Sequence, residues 1–389
     1  MSVDQALSFL EQRDQDLFSL LRELVLISSY TGDKSGVDRV GAVIRKRLEG
    51  LGLELETVRV REFGDHLIFR TRASHSQPYI LVTGHMDTVF PEESGFNWYR
   101  EDGPRVHGPG VIDMKGGLVT TIGAVQALAR AGVLEQLPLV LLFNSDEEMG
   151  SPSSLELIQE LARGACCGLV TECGGLSGEV VTGRRGKTGY RLEIRGQAGH
   201  AAFVGRNKAS AVLELARKVL ALEELNKPEQ GVVVNVGIIQ GGIGPNTVPE
   251  QAEARIDTRY TTRAAGLELE ERIGRIAETC VTPGTTARLE TTNRRPVLEE
   301  TAANRDLFIL AAEQARRLGI GICREVRQGV SDANTMGEFI PVLDGLGPIG
   351  EHDHSDREYM LRDSLPARTR LLTALLPALA GKFSTPAAR

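Results

Sequence analysis

The sequence predicts an α/β protein in which a mostly parallel sheet lies between layers of helices and a smaller α+β domain is inserted into the chain. Two observations support this prediction. Short apolar runs alternate with helical patterns over residues 1–183, and such alternation is typical of a parallel sheet. The order then changes to βαββαβ, which indicates a small antiparallel sheet covered by two helices. We expect residues 1–183 and 295–389 to form one domain and residues 184–294 to form the inserted domain.

The elements that precede residue 79 are indicated by the spacing of their apolar residues. Leucines recur at helical spacing over about 3–27, and a second helix is expected over 37–51. Strands are expected over 54–61 and 66–72, joined by a turn. Residues 91–107, which follow the next strand, are rich in glycine, proline and polar side chains and are expected to form a loop.

Three later apolar runs have the length of buried strands and end in side chains that can bind a metal. These side chains are His85 and Asp87 after residues 79–84, Asp146, Glu147 and Glu148 after 139–145, and Glu172 after 168–171. A glycine-rich loop containing Asp113 leads into a helix expected over 118–131, and another helix is expected near 153–162. Because sites in open α/β sheets lie at the carboxyl ends of strands, we expect these side chains to share one edge of the sheet.

The ligand types at this edge indicate a metal site. Consecutive carboxylates repel one another unless a cation lies among them, although a solvated acidic loop is the simpler alternative for Asp146, Glu147 and Glu148 taken alone. Histidine and carboxylate ligands together suit zinc, with manganese or cobalt as competitors. Asp87, two residues beyond His85, could hold the second nitrogen of that ring or could cap a turn.

The inserted domain and the C-terminal part follow the same logic. Strands of the inserted domain are expected over 187–195, 231–240, 250–260 and 286–292, with helices over about 209–225 and 265–280. The α/β character returns after residue 295, with helices expected over 302–318 and 363–379.

Composition excludes several classes of protein. Lys and Arg number 45 against 52 Asp and Glu, so the net charge of −7 argues against a nucleic acid or an anionic membrane as partner. The five scattered cysteines form no CxxC pair, so neither a zinc knuckle nor a disulfide framework is indicated. The N-terminal residues do not resemble a signal peptide, and no apolar run is long enough to cross a bilayer. We expect a cytoplasmic protein.

Seven segments, in the same order along nearly the whole chain, resemble the co-catalytic di-zinc metallopeptidases of clan MH. They are GHMDTV, GPGVIDMKGG, NSDEEMGS, TECGG, RGQAGHAA, GVSDANT and HSDREY. That group includes aminoacylases, acetylornithine and succinyl-diaminopimelate deacylases, and glutamate carboxypeptidases of the carboxypeptidase G type. The GPG segment before Asp113 resembles the carboxypeptidase G type more than the deacylases. The resemblance implies a zinc-exopeptidase fold with two zinc ions per chain and an inserted lid domain that forms a homodimer.

The resemblance also implies a role for individual residues of the metal centre. His85 and His354 match the histidine ligands, Asp113 matches the bridging carboxylate, and Glu148 and Glu172 match the ligands that complete separate sites. His352 is a rival to His354, but the following Ser355 and Glu358 favour His354. Glu147 matches the general base, and the peptide bond after Asp113 is expected to be cis.

Further residues have a functional role only through the resemblance. His200 matches a histidine that reaches the partner's active site and stabilises the oxyanion, whereas by itself it would be a surface residue. Asn246 and Arg259 match binders of the substrate carboxylate, although Arg259 could equally form a salt bridge. Ser331 is either a substrate-binding residue or a helix N-cap.

Four more residues are expected to have no catalytic role. His66, His75 and His107 are expected to be exposed, and Lys115 is expected to pair with a carboxylate.

The expected activity is hydrolysis of an amide bond next to a free C-terminal carboxylate, in a small peptide or an N-acyl amino acid. A metal-bound water would attack with Glu147 as the base. An N-acyl-amino-acid deacylase is the alternative enzyme, and a non-catalytic ligand-binding relative is the alternative outside enzymes.

Overall fold

The computed structural model describes residues 2–203, 205 and 208–384, and the chain divides into two compact units. The first unit contains Met1–Gly183, Glu300–Arg327 and Ser331–Arg389, and the second contains Arg184–Glu299 with Gln328–Val330. The predicted inserted segment, 184–294, lies within the second unit. Among the described residues, no helix combines the length and the apolar character needed to span a bilayer.

Helices and strands alternate along much of the chain. The helices are α1 (Val3–Glu11), α2 (Asp14–Val25), α3 (Lys34–Leu48), α4 (Lys115–Arg130), α5 (Leu155–Gly164), α6 (Ala211–Glu223), α7 (Arg263–Glu278), α8 (Ala302–Arg317), α9 (Asp332–Met336) and α10 (Ser364–Ser384). The strands are β1 (Leu53–Val58), β2 (His66–Thr71), β3 (Tyr79–His85), β4 (Arg100–Asp102), β5 (Arg105–His107), β6 (Leu139–Asn144), β7 (Ala165–Val170), β8 (Glu179–Arg184), β9 (Gly186–Arg195), β10 (Gly199–His200), β11 (Val232–Gly241), β12 (Thr247–Val248), β13 (Gln251–Tyr260), β14 (Thr286–Arg295), β15 (Cys323–Arg327), β16 (Val342–Leu343), β17 (Gly350–Glu351) and β18 (Tyr359–Leu361).

The central sheet of the first unit has the strand order β1-β2-β6-β3-β7-β16. Strand β3 is parallel to both β6 and β7, and β7 is parallel to β16, whereas β1 and β2 form an antiparallel edge. Every residue of β6 is buried, as expected for a continuous apolar strand covered on both faces. This sheet, with helices packed on it, confirms the predicted fold class.

Helix α4 begins directly behind the carboxyl ends of these strands. Its first turn contains Gly116 and Gly117, and a Cβ atom on Gly117 would lie 1.9 Å from the carbonyl oxygen of Thr171. A larger residue would therefore push α4 away from the segment that follows β7. This close approach holds Asp113, just before α4, beside the chain that carries Glu172.

The second unit is built around an antiparallel sheet of order β11-β13-β9-β14. Helices α6 and α7 pack on it through a core that includes Tyr190, Leu215, Ile256 and Ile273. The observed order of these elements is the predicted βαββαβ order, with the short β10 and β12 added.

Two local predictions differ from the structure. The helix expected over 3–27 is two helices, because α1 ends at Glu11 and α2 begins at Asp14. The loop expected over 91–107 contains β4 and β5, which pair with each other. Strand β5 also pairs with β18, where His107 lies opposite Tyr359. This pairing joins distant parts of the chain, so the local composition did not reveal it.

Candidate metal centre

The candidate ligands lie at the carboxyl ends of the parallel strands. His85 is the last residue of β3 and lies opposite Asn144, the last residue of β6. Glu147 and Glu148 follow β6 in a short 3-10 helix over Glu147–Met149, and Glu172 follows β7. The parallel register of the strands is what brings these side chains to one edge.

Two groups of side chains share Asp113. Nε2 of His85 lies 3.0 Å from Oδ1 of Asp113 and 3.4 Å from Oε1 of Glu172. Nε2 of His354 lies 3.1 Å from Oδ2 of Asp113 and 3.2 Å from Oε2 of Glu148. Each oxygen of Asp113 thus faces a different histidine, and each histidine also lies near a different glutamate. Each histidine, with Asp113 and its glutamate, therefore offers one nitrogen and two oxygen donors.

The chemistry of these donors fits a divalent cation. Two imidazoles and three carboxylates form the nitrogen–oxygen set that zinc prefers. Oε1 of Glu148 is buried and has no hydrogen-bond partner among the described residues, which is costly for a carboxylate oxygen unless a cation binds it. The residues present could therefore hold two metal ions bridged by Asp113.

The pKa shifts show how strongly these carboxylates need a positive partner. Burial, together with the charge of Asp113, raises the pKa of Glu148 to about 7. Hydrogen bonds to Asp113 and Glu148 raise the pKa of His354 to about 11. Burial opposes the charged form of His85, but hydrogen bonds with Asp113, Asp87 and Glu172 outweigh it and raise the pKa of that ring well above its usual value.

Asp87 connects the candidate ligand His85 to the loop that carries Glu147 and Glu148. Its side chain is fully buried and accepts a hydrogen bond from the Thr31 hydroxyl at 2.7 Å. Its two oxygens also accept the backbone N–H groups of Glu147 and Glu148, at 3.3 and 3.2 Å. Nδ1 of His85 lies 3.0 Å from the backbone carbonyl of Asp87 and 3.4 Å from the carboxylate, so both groups orient the ring.

The Glu147 carboxylate lies beside the same centre. One of its oxygens, Nε2 or Nδ1 of His85 and a carboxylate oxygen of Glu172 all lie within 4.8 Å of one another. A carboxylate at this distance can exchange a proton with a water held in the site.

Asp146 has a structural role in the same loop. Oδ2 accepts the backbone N–H of Ser153 at 2.6 Å, and Oδ1 accepts the Ser154 hydroxyl at 2.5 Å. The carboxylate therefore caps the turn before α5.

Two buried side chains near Asp113 form contacts that the sequence did not predict. Glu358 accepts the backbone N–H groups of Gly110 and Ile112, both at 2.9 Å, and thereby shapes the loop before Asp113. Lys115 was expected to pair with a carboxylate, but its Nζ donates to the carbonyl oxygen of Ile27 at 2.8 Å. The signal for Glu358 was its place in the HSDREY segment. The peptide bond between Asp113 and Met114 is cis, as the resemblance implies.

Residues 81–378 match the family described as peptidase family M20/M25/M40. The chain belongs to this family. Carboxypeptidase G2 from Pseudomonas sp. (strain RS-16) is 28% identical over 374 residues, which cover 93% of this chain and 89% of that protein. Succinyl-diaminopimelate desuccinylase from Gluconacetobacter diazotrophicus is 28% identical over 389 residues, which cover 93% and 97% of the two chains.

A solved structure shares the fold. It is the YxeP protein from Bacillus subtilis, described as a dinuclear metal binding peptidase, with a TM-score of 0.72 and 18% identity over 95% of this chain and 99% of that one. Membership of the M20 family makes this chain a metal-dependent hydrolase of the peptidase and amidohydrolase type.

The second unit carries three residues to which the resemblance assigns a role. His200 in β10 is exposed and pairs with Thr247 in β12, and the N–H of Ala201 donates to the carbonyl oxygen of Asn246 at 2.9 Å. His200 and Asn246 are thus neighbours. Arg259 forms an ion pair with Asp257, with Nε 2.9 Å from Oδ1. This salt bridge is the alternative to a role of Arg259 in substrate binding.

Ser331 and His352 complete the set of candidates. The Ser331 hydroxyl caps α9 by accepting the N–H of Ala333 at 3.1 Å and also donates to Asp344 at 2.7 Å, so the helix-cap alternative is observed. Its role in substrate binding stays a prediction. The His352 ring lies 5.8 Å from the Tyr359 ring, whereas His354 faces the other ligands of the M20 centre.

Proposed function

We propose that this protein is an M20 carboxypeptidase or dipeptidase of the glutamate carboxypeptidase type, which cleaves the amide bond next to a free C-terminal carboxylate. The observation that carries the proposal is Asp113, whose two oxygens face two separate histidine–glutamate pairs, with the Glu147 carboxylate beside them. The similarity to carboxypeptidase G2 over 93% of the chain supports the substrate class.

We propose zinc as the metal, with cobalt or manganese as possible substitutes. His85, Asp113 and Glu172 would hold one ion, and His354, Asp113 and Glu148 would hold the other. When bound, a pair of such ions acidifies a water and polarises the scissile carbonyl.

The chain's own residues move the proton and hold the substrate. Glu147 accepts a proton from the attacking water and transfers it to the leaving nitrogen, which departs as an amine. The Asp87 carboxylate keeps the backbone of Glu147 in place by accepting a hydrogen bond from the N–H of Glu147. On the basis of the resemblance, we assign stabilisation of the oxyanion in the partner's active site to His200 and binding of the substrate carboxylate to Asn246 and Arg259; donors of this kind suit those charges.

The division of labour between the adjacent glutamates provides the test. Glu147→Gln should retain both metal ions and lose between about 100- and 10,000-fold in kcat, because the amide cannot accept a proton. Glu148→Gln should lose metal from one site, because a charged ligand is removed. Metal content is measured by mass spectrometry on the purified proteins, and kcat is measured with added zinc.

Glu156→Gln is the matched control, since Glu156 is exposed on α5 in the same segment of the chain. It should leave both quantities unchanged. If Glu147→Gln lost metal and kept its turnover per bound metal, the assignment of Glu147 as the base would be wrong.

An N-acyl-amino-acid deacylase is the second candidate, supported by the similarity to succinyl-diaminopimelate desuccinylase. Dipeptides, folyl-type glutamates and N-acetyl or N-succinyl amino acids should be compared by kcat/KM with zinc, cobalt or manganese added. Higher values for the peptides and folyl glutamates support the carboxypeptidase, and higher values for the short acyl groups support the deacylase.

We also propose that the second unit forms a homodimer. Strand β11 is an edge strand of its sheet, and exposed apolar side chains lie on it and on α6, which packs against it. These side chains are Val212, Leu213, Leu220, Ile238 and Ile239. An exposed strand edge with apolar neighbours favours pairing with a second chain. The mass in solution, measured by light scattering, should be that of two chains. A cytoplasmic location stays a prediction from the sequence.

A further inference from the structure

His66 is buried, and the prediction that it is exposed was wrong. It is the first residue of β2, and its side chain has no exposed surface. Nδ1 of the ring lies 3.0 Å from the Ser145 hydroxyl, and Nε2 lies 3.1 Å from the Ser153 hydroxyl. A buried histidine with a partner on each ring nitrogen is a specific arrangement, because each contact restricts the orientation of the ring.

The two serines lie at the start and the end of the loop that carries the proposed base. We call residues 145–153 the catalytic loop. It contains Glu147 and Glu148, and its interior is closed by hydrogen bonds from the N–H of Gly150 to the Glu147 carbonyl at 2.7 Å and from the N–H of Ser151 to the Asp146 carbonyl at 2.8 Å. The His66 ring therefore bridges the two ends of a compact turn.

The direction of these hydrogen bonds follows from the acceptors. The Ser145 hydroxyl lies 2.5 Å from the carbonyl oxygen of Gly64, which can only accept, so Ser145 donates to Gly64. Nδ1 of His66 must then carry a proton and donate to Ser145. The Ser153 hydroxyl has one proton and two neighbours that can accept it, Oδ2 of Asp146 at 2.7 Å and Nε2 of the neutral ring at 3.1 Å.

The charge state of the ring agrees with this arrangement. Burial lowers the pKa of His66, although the negative charges of Asp146, Asp332 and Asp87 oppose this effect. A neutral ring with its proton on Nδ1 keeps the hydrogen bond to the Ser145 hydroxyl.

We propose that His66 is a positioning residue for Glu147, because its ring joins Ser145 to Ser153 and so fixes the catalytic loop between β6 and α5. The proposal rests on the proposed role of Glu147 as the base. Asp87 holds the loop at the N–H groups of Glu147 and Glu148, on the side of His85, whereas His66 holds it at both ends from β2. Proton transfer depends steeply on distance, so a base on a loop held at fewer points would work more slowly.

The experiment compares variants of His66 that remove one or both contacts. His66→Leu removes both, His66→Asn can retain the contact with Ser145, and His66→Gln can retain the contact with Ser153. The serine hydroxyls keep Gly64 and Asp146 as acceptors in each case, so no buried donor is orphaned. His75→Leu is the matched control, since His75 is half-exposed and pairs with Glu54 at the surface.

The readouts are kcat, KM and metal content, measured with zinc in excess and well below the unfolding temperature of each variant. We expect His66→Leu to lower kcat between about 10- and 100-fold while KM and metal content stay within about twofold of wild type. His66→Asn and His66→Gln should recover part of the lost kcat, and His75→Leu should behave as wild type. A purely structural role would lower the unfolding temperature but leave kcat per folded, metal-loaded chain unchanged.

Several results would overturn the proposal. A kcat equal to that of wild type in folded His66→Leu would refute it. An equal loss of kcat in all three variants of His66, together with a rise in KM, would also refute it. If His66→Leu does not fold, the Asn and Gln variants carry the test, because each removes a single contact. Glu147→Gln is measured in parallel. If that variant keeps its kcat, the assignment of Glu147 as the base is wrong. If Glu147→Gln loses kcat while His66→Leu keeps the wild-type kcat, only the positioning role of His66 is refuted.

Discussion

Replacing Asp87 by asparagine should weaken the metal centre without touching a ligand. The carboxylate offers two acceptor oxygens, one to the N–H of Glu147 and the other to the N–H of Glu148 and the Thr31 hydroxyl. Asparagine offers one oxygen and one NH2 group. Whichever way the amide turns, an NH2 group faces a buried backbone N–H that it cannot accept.

The size of the effect follows from the contacts that are lost. One hydrogen bond from the loop to a charged acceptor is lost, and at 3.2–3.3 Å the bonds to the loop are long ones. A hydrogen bond to a charged acceptor is worth about 1.5 to 3 kcal/mol, so the expected loss lies in that range. This range corresponds to roughly 10- to 100-fold in an equilibrium or rate constant, as is typical of residues that orient metal ligands.

The assay is a titration of the metal-free protein with zinc in the presence of a competing chelator, followed by kcat/KM at saturating zinc. Asp65→Asn is the control, since Asp65 is a buried carboxylate that pairs with Lys34 and Arg59 rather than with the metal centre. We expect Asp87→Asn, and not Asp65→Asn, to lose zinc affinity or kcat/KM by between about 10- and 100-fold. Zinc affinity and kcat/KM both within twofold of wild type in Asp87→Asn would refute the reasoning.

Two further predictions concern stability. Burial raises the pKa of Asp65, but the hydrogen bonds that it accepts, from Lys34 first, outweigh this effect and lower that pKa. The ionised carboxylate therefore stabilises the folded protein fully above the unfolded-state pKa of about 4. This stabilisation is lost as the pH falls through the lower folded-state pKa. In urea, the free energy of unfolding of Asp65→Asn should therefore be lower than that of wild type by about 2 kcal/mol at neutral pH, and the difference should be smaller at acidic pH. An equal difference at both pH values would contradict this prediction. In the second unit, Nζ of Lys218 donates to the carbonyl oxygens of Ile276, Ala277 and Thr279 at 2.6–3.0 Å at the end of α7. Lys218→Met should destabilise that unit by about 3 kcal/mol in urea, because it also leaves Glu214 buried without its cation, and wild-type stability would refute it.

Much of the fold could be predicted because its signals are local. The apolar runs that became β3, β6 and β7 are continuous, and each is followed by a histidine or a carboxylate. The βαββαβ order of the second unit is likewise visible in the spacing of apolar residues. By contrast, the hairpin of β4 and β5 was missed, because it is an outer part of a sheet in which β5 pairs with β18 at the far end of the chain.

The candidate site divides in the same way. The residue types at the strand ends indicated a metal, and the resemblance indicated which residues are its candidate ligands. Their arrangement around Asp113 depends on side chains that are far apart in the chain, such as His354 beside Oδ2 and His85 beside Oδ1. Side-chain direction is set by packing, so no spacing in the sequence could supply it.

The sequence by itself determined the fold class, the edge of the sheet at which chemistry is placed and the ligand types found there, because each follows from local periodicity and the topology of parallel strands. Only the tertiary structure decided how the two oxygens of Asp113 are shared, and that Glu358 and His66 are buried supports of the centre. Both supports act through hydrogen bonds to residues far from them in the chain, with Glu358 bound to the loop at Gly110 and His66 to Ser145 and Ser153. Such contacts form only when the strands and loops have packed together.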